Sequence, residues 1–329
     1  AAMLAVMEAK DLVHGPLDFL FTVDEETGLT GAQALSGQML RGRKLLNLDT
    51  ENQNELSIGC AGGGNSILTL PLETEPAQGS KALRLVLRGL QGGHSGIDIH
   101  LQRGNAVKLV NRMVHVGVME AGGRVTAIEG VNKHNAIPRE AEAVVVLNDE
   151  QVAPFRARVE KEFAAVRAEY AVSDPDMALE ISEVAVPAQV WTQRTMDTAL
   201  HLIEALPHGV IAMSLDIPGL VETSNNVAVV KAQDGQLVVT TSTRSSIGSA
   251  LEAVRLQIHA VARLAGVAIQ QEPAYPGWKP NLRSEVLGVL REVHREVKGE
   301  EPELKAVHAG LECGIIGEKI GRASCRERV

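Results

Sequence analysis

The stretch FLFTVDEETG, Phe19–Gly28, decides how this chain is read. An apolar run, Phe-Leu-Phe-Thr-Val, stops on three acids, Asp24, Glu25 and Glu26, and turns at Thr27-Gly28. The run predicts a buried strand over 17–23. Adjacent carboxylates at the end of a buried strand repel one another, and burial sharpens the repulsion. A cation is therefore expected beside them. The alternative is the start of a helix, where acids are favoured at the cap and first turn.

Working outward, residues 2–11 predict an amphipathic helix and 28–40 a second helix. KLLNLD (44–49) is another apolar run closing on an acid, Asp49. Helix, strand, helix, strand predicts an α/β layer with parallel strands, and such sheets bind ligands at the carboxyl ends of their strands. Successive strand residues point in opposite directions. One of Glu25 and Glu26 can then ligate a metal while the other faces a nucleophilic water. Asp49 adds a third carboxylate to the same edge. Zinc or manganese would neutralise the group, and a carboxylate beside a metal-bound water is a suitable general base.

The texture changes after residue 65. Short alternating runs (NSILTLPLE, ALRLVLRGL, RVTAIEGV, EAVVVL) precede or flank helical patterns at 103–119 and 150–170. A second copy of this texture covers 177–265. The prediction is an inserted α+β unit of two similar halves. PAYPGWKPN (273–281) is dense in proline and glycine and reads as a hinge or linker. A helix over 283–298, a strand over 304–310 and LECGIIGEKI resume the α/β layer. The expected division is 1–66 and 274–320 for one α/β domain, 67–273 for the insert, and 321–329 (GRASCRERV) as a non-native tail. A plain flexible tail is the alternative.

Composition narrows the function classes. Net charge −9 and a pI near 5.6 argue against nucleic acid, whose phosphates need a basic surface. No apolar run reaches the roughly 18 residues of a membrane span. Three sparse cysteines fit a reducing compartment, and no leader segment opens the sequence, so a cytoplasmic location is expected.

Five further strings carry candidate chemistry. Gly92-Gly93-His94-Ser95-Gly96 presents a histidine on a flexible turn, able to approach an oxyanion closely, or merely a turn histidine. His100 and Arg103 follow it. GVNKHNAIPREA (130–141) is a polar bend. ETSNNVAVV (222–230) and TSTRSS (241–246) offer asparagine and arginine groups suited to a carboxylate. In VHAGLECG (307–314), His308 ends a strand and Glu312 enters a helix. Cys313 reads as a buried small hydrophobe rather than a nucleophile.

Taken together, TVDEETGLTGA, LNLDTE, IGCAGG, GGHSGIDIHLQRGNA, NAIPREA and HAGLECG resemble the aminoacyl-histidine (Xaa-His) dipeptidase family of the zinc aminoacylase and glutamate carboxypeptidase superfamily. The six motifs stand in order from about residue 1 to 320. The resemblance implies a partial α/β zinc-peptidase domain with an inserted α+β lid. It implies two zinc ions, with manganese or cobalt as substitutes, and a small dipeptide substrate of the β-alanyl-histidine type. It makes Glu25 the general base, Glu26 and Asp49 metal ligands, and His94 the lid histidine that helps bind substrate. Asn225 or Asn226, with Arg244, would hold the substrate carboxylate. His308 would sit at the site's edge without binding metal. In many relatives His94 reaches the site across a dimer, so a homodimer through the lid is open. The family's upstream His-x-Asp motif, its upstream bridging aspartate and its final ligand histidine have no counterpart here. The expectation is that the parent enzyme hydrolyses Xaa-His dipeptides and that this chain is an inactive fragment truncated at both ends. The rivals are an N-acyl amino acid or other dipeptide hydrolase of the same superfamily, and a non-catalytic lid or dimerisation fragment.

Overall fold

A computed structural model describes residues 2–49, 52, 54–130, 133–320 and 324–327, with only the backbone of Glu26, Thr27 and 324–327. The middle of the chain follows its sequence pattern closely. Strands Lys81–Arg88, Arg124–Glu129, Ala141–Leu147 and Ala178–Val184 form one four-stranded antiparallel sheet. Strands Gly62–Pro71, Gly209–Met213, Val221–Gln233, Gln236–Ser245 and Ala268–Gln271 form a second, five-stranded sheet. Each comes with two helices: Ala106–Ala121 and Asp149–Glu169 for the first, Gln193–Ala205 and Gly248–Ala265 for the second. The two similar halves expected from the repeated texture are therefore present. They are interleaved in sequence, because Gly62–Pro71 precedes the first half yet pairs within the second. This strand runs unbroken across the 66/67 division drawn from sequence.

The halves join at a backbone bridge between Gly130 and Val230, with N–H to carbonyl distances of 2.9 and 3.1 Å. One large apolar core fills the space between sheets and helices. Helix Ala106–Ala121 shows why the sequence builds it. Asn105 caps its start, its side-chain oxygen accepting from Val107 N (3.1 Å) and Lys108 N (3.2 Å). Val107, Val110, Val114 and Gly117 recur at helical spacing and are buried. Arg112 on this helix donates to Glu162 (2.7 Å) and, in a fork, to Glu169 (2.8 and 2.9 Å), tying the helix to Asp149–Glu169.

The outer α/β part departs from expectation. Residues 17–23 form no strand, and Phe21 and Val23 are exposed. A strand exists through its ladder partners, and no described strand runs beside this segment. Apolar character signals a capacity for burial and not a partner. The segment 28–40 becomes one short helix, Thr30–Ala34, and a 3-10 turn, Gly37–Met39, set off from the preceding helix Glu25–Gly28 by Leu29 in the left-handed region (φ 58°). Leu45–Asn47 and Glu303–Val307 do form strands, in a sheet with Glu55–Cys60 and Ser324–Glu327. Its pairings are parallel for 303–307 with 55–60 and for 45–47 with 324–327, and antiparallel for 324–327 with 55–60. Residues 324–327, set outside the fold on sequence grounds, thus lie in its sheet.

The Pro/Gly-rich segment after residue 272 is paired, not loose. Tyr275 exchanges backbone hydrogen bonds with Gly63 (2.9 and 3.1 Å), and Trp278 does so with Cys60 (2.8 and 2.9 Å). The segment is strapped along the start of the five-stranded sheet, which places Tyr275 beside the site described next.

Candidate ligand-binding site in the lid

Strands Val221–Gln233 and Gln236–Ser245 pair with Ser224 opposite Arg244, Asn225 opposite Thr243 and Asn226 opposite Ser242. Directly opposed residues share a face, and neighbours along a strand alternate. Ser224, Asn226 and Arg244 therefore share one face, and Asn225 lies on the other. There Asn225 donates to Pro207 O (2.7 Å) and accepts from Thr243 Oγ1 (2.8 Å). Its amide is used within the fold. Of the two asparagines left open by the sequence, Asn226 alone stands on the arginine's face.

On that face Arg244 is 7% exposed, and its Nη1 donates to the Tyr275 hydroxyl at 3.1 Å. Its Nε has no acceptor, and no carboxylate pairs with it among the described residues. His308 is also buried, with Nε2 2.8 Å from Ser224 Oγ. Asn226 donates to Ala136 O (2.8 Å), leaving its Oδ1 unpaired. The strand Gly93–His94 pairs with Ala136–Ile137, so His94 arrives at the same place. Its Nδ1 accepts from the N–H groups of Gly96 (3.1 Å) and Ile97 (3.0 Å). In the neutral ring the proton is then on Nε2, which is left to donate outward.

Gly96 makes the assembly compact. A Cβ there would lie 2.2 Å from the His308 carbonyl oxygen and 3.2 Å from Arg244 Cδ and Nε. Only a glycine lets the His94 turn close over these residues. His100 is exposed and bonds Ile97 O (2.9 Å), and Arg103 bonds Gly92 O (2.6 Å), so both brace the turn. The bend at 133–137 supplies Asn135 and Ala136 as its backbone partners. Sequence reasoning passed over Ser224 and Tyr275. Their only signal was proximity to Asn226 along one strand and to the Pro/Gly cluster.

Electrostatics fix the protonation states. Burial, reinforced by the Arg244 charge, pushes His308 down to about 3. Burial and Arg244 also lower His94, against the opposing pull of Asp98. Burial and Lys108 push His208 down to about 4. Each folded pKa is below its unfolded value near 6.5, so each contributes stability that is whole above pH 6.5 and is lost as pH falls toward the folded value. Unfolding free energy should drop between pH 6.5 and 4 by up to about 1.4 kcal/mol per pH unit for His308 and likewise for His208. Urea unfolding of wild type and His308→Gln across this range checks it. An identical slope in both would refute the assignment of His308.

The acids are placed differently. Asp24 is the left-handed residue before helix Glu25–Gly28 and accepts from Thr30 Oγ1 (2.7 Å). Glu25 opens that helix, in keeping with acids at a helix start rather than at a strand end. Asp49 lies two residues beyond Leu45–Asn47, its N–H bonded to Asn47 Oδ1 (2.9 Å). The side chain of Glu26 falls outside the described residues. Among those described, no three His, Cys, Asp or Glu side chains gather as a metal site. The donor set among the described residues does not fit a dinuclear centre. Glu312 and Cys313 are both buried. No described helix is long and apolar enough to cross a membrane.

No family model matches the chain. It is 37% identical over 318 residues to the cytosol non-specific dipeptidase of Escherichia coli strain K12, across 96% of this chain and 65% of that protein. The crystal structure of an aminoacylhistidine dipeptidase from Vibrio alginolyticus superposes with a TM-score of 0.94 at 36% identity, across 99% of this chain and 67% of that one. Sheet arrangement and this similarity define a lid-bearing α/β peptidase fold. Within that class the chain belongs to the aminoacyl-histidine dipeptidase family. It spans 65% of the length of the curated relative it matches.

Proposed function

We propose that this chain supplies the substrate-binding lid and part of the catalytic layer of a cytoplasmic metallodipeptidase acting on Xaa-His dipeptides. The observation that carries the proposal is Arg244, a buried guanidinium with no carboxylate partner among the described residues, whose Nε lacks an acceptor and whose face also carries the unpaired Oδ1 of Asn226. A buried charge without a counter-charge is costly, and a ligand carboxylate would neutralise it through charge-assisted hydrogen bonds. Arg244 and Asn226 are the proposed carboxylate-holding groups. His94, neutral and donating through Nε2, suits the carbonyl oxygen of the scissile bond, where negative charge develops. Glu25 is the proposed general base, taking a proton from water and passing it to the leaving amine.

Family kinship supports a metal requirement, proposed as two zinc ions with manganese or cobalt as substitutes, and Glu26 and Asp49 as ligands. The described residues do not form that centre, and this chain alone is proposed to be inactive. A homodimer through the lid is part of the same proposal. A broader dipeptide range is the second reading, favoured by the non-specific dipeptidase name of the E. coli relative. The test is hydrolysis of a dipeptide panel with added zinc by this chain, by its Glu25→Ala variant, and by a protein extended to the length of the relatives. The expected result is activity in the extended protein alone, highest on β-alanyl-histidine. Activity of this chain that vanishes in Glu25→Ala would overturn the inactivity. Equal rates on dipeptides without C-terminal histidine would favour the broader range.

A further inference from the structure

We infer that Tyr275 is a ligand-binding residue of the same site, which grips the carboxylate together with Arg244. The inference rests on the reading of Arg244 as the carboxylate-holding group. The Tyr275 oxygen accepts a hydrogen bond from Arg244 Nη1 at 3.1 Å. A phenol that accepts keeps its own proton to donate, and no acceptor for that proton is found among the described residues. The proton is therefore available beside a guanidinium whose Nε also lacks an acceptor. An anion seated on Arg244 would receive both.

The backbone is built to hold this ring where it is. Tyr275 is pinned by its two backbone bonds to Gly63. A Cβ on Gly63 would lie 2.5 Å from the Tyr275 hydroxyl oxygen, and one on Gly310 2.8 Å from a ring carbon. Two glycines leave the slot the ring fills, one from the five-stranded sheet and one from the turn before helix Glu312–Ile320. Ring position, and with it the direction of the hydroxyl, is set by contacts independent of Arg244. A tyrosine placed only for packing would not need its oxygen on a buried cation.

The test compares β-alanyl-histidine with its C-terminal amide, titrated by calorimetry into this chain, Tyr275→Phe and Arg244→Met, with thermal unfolding of each as the check of folding. Tyr275→Phe should weaken the free dipeptide about tenfold, the size expected for one hydrogen bond to a charged group, and leave the amide unchanged. Loss of binding in Arg244→Met with no change in Tyr275→Phe would overturn the inference and leave the reading of Arg244 standing. Equal weakening of dipeptide and amide by Tyr275→Phe would also overturn it, marking the tyrosine as purely structural. Binding indifferent to Arg244→Met, or no binding to the wild-type chain, would sink that reading and this inference with it.

Discussion

Replacing Arg244 with methionine should weaken binding of a dipeptide carboxylate about 30-fold or more and at the same time raise the unfolding temperature. The loss follows from removing the partner of a charged ligand group in a dry site, which typically costs about 2–5 kcal/mol. The gain follows from the same burial. Arg244 is 7% exposed and faces Tyr275 but no carboxylate among the described residues. Methionine keeps much of the volume without the desolvated charge, and such exchanges stabilise by about 1–4 kcal/mol. Opposite signs in binding and stability distinguish a functional cation from a structural one. A variant that loses both would show that Arg244 holds the fold. Calorimetry and thermal unfolding on the same samples decide the matter.

Phe155→Ala should be the most damaging single truncation in the core. The ring is wholly buried on helix Asp149–Glu169. It packs so close to the facing helix that a Cβ on Gly117 would lie 2.7 Å from it. Gly117 has no side chain with which to fill the hole, and the ion pairs of Arg112 hold the two helices at their spacing. The cavity would stay open, and a loss of about 3–5 kcal/mol is expected in urea unfolding. Phe155→Leu, nearer in volume, should cost much less. A loss below about 1 kcal/mol for the alanine variant would mean that these helices are not part of the cooperative core.

The two effects bear on different layers of one design. The interleaved halves with their shared apolar core form the platform. The polar face at Ser224, Asn226 and Arg244 is set on paired central strands of that platform, where backbone geometry is most constrained. A site needing several groups held together gains from such rigid support.

The sequence by itself determined the lid. Its strands alternate, its helices carry apolar residues at helical spacing, and caps such as Asn105 mark their ends, all of them short-range signals readable along the chain. The motif strings likewise sufficed to name the family. What only the tertiary structure decided was which polar residues meet. Asn225 and Asn226 are neighbours of identical chemistry, and the register against Thr243 and Ser242 alone sends one into the fold and the other to Arg244. Tyr275 and His308 lie 31 and 84 residues from their partners Arg244 and Ser224, so no local pattern could join them. The stretch FLFTVDEETG marks the opposite limit. Its apolar run announced a buried strand, yet a strand is a relation between segments, and its outcome rested on a partner that local sequence does not specify. Local physics writes helices, turns and faces into a sequence, whereas sheet pairing and the convergence of distant side chains emerge only when the whole chain packs.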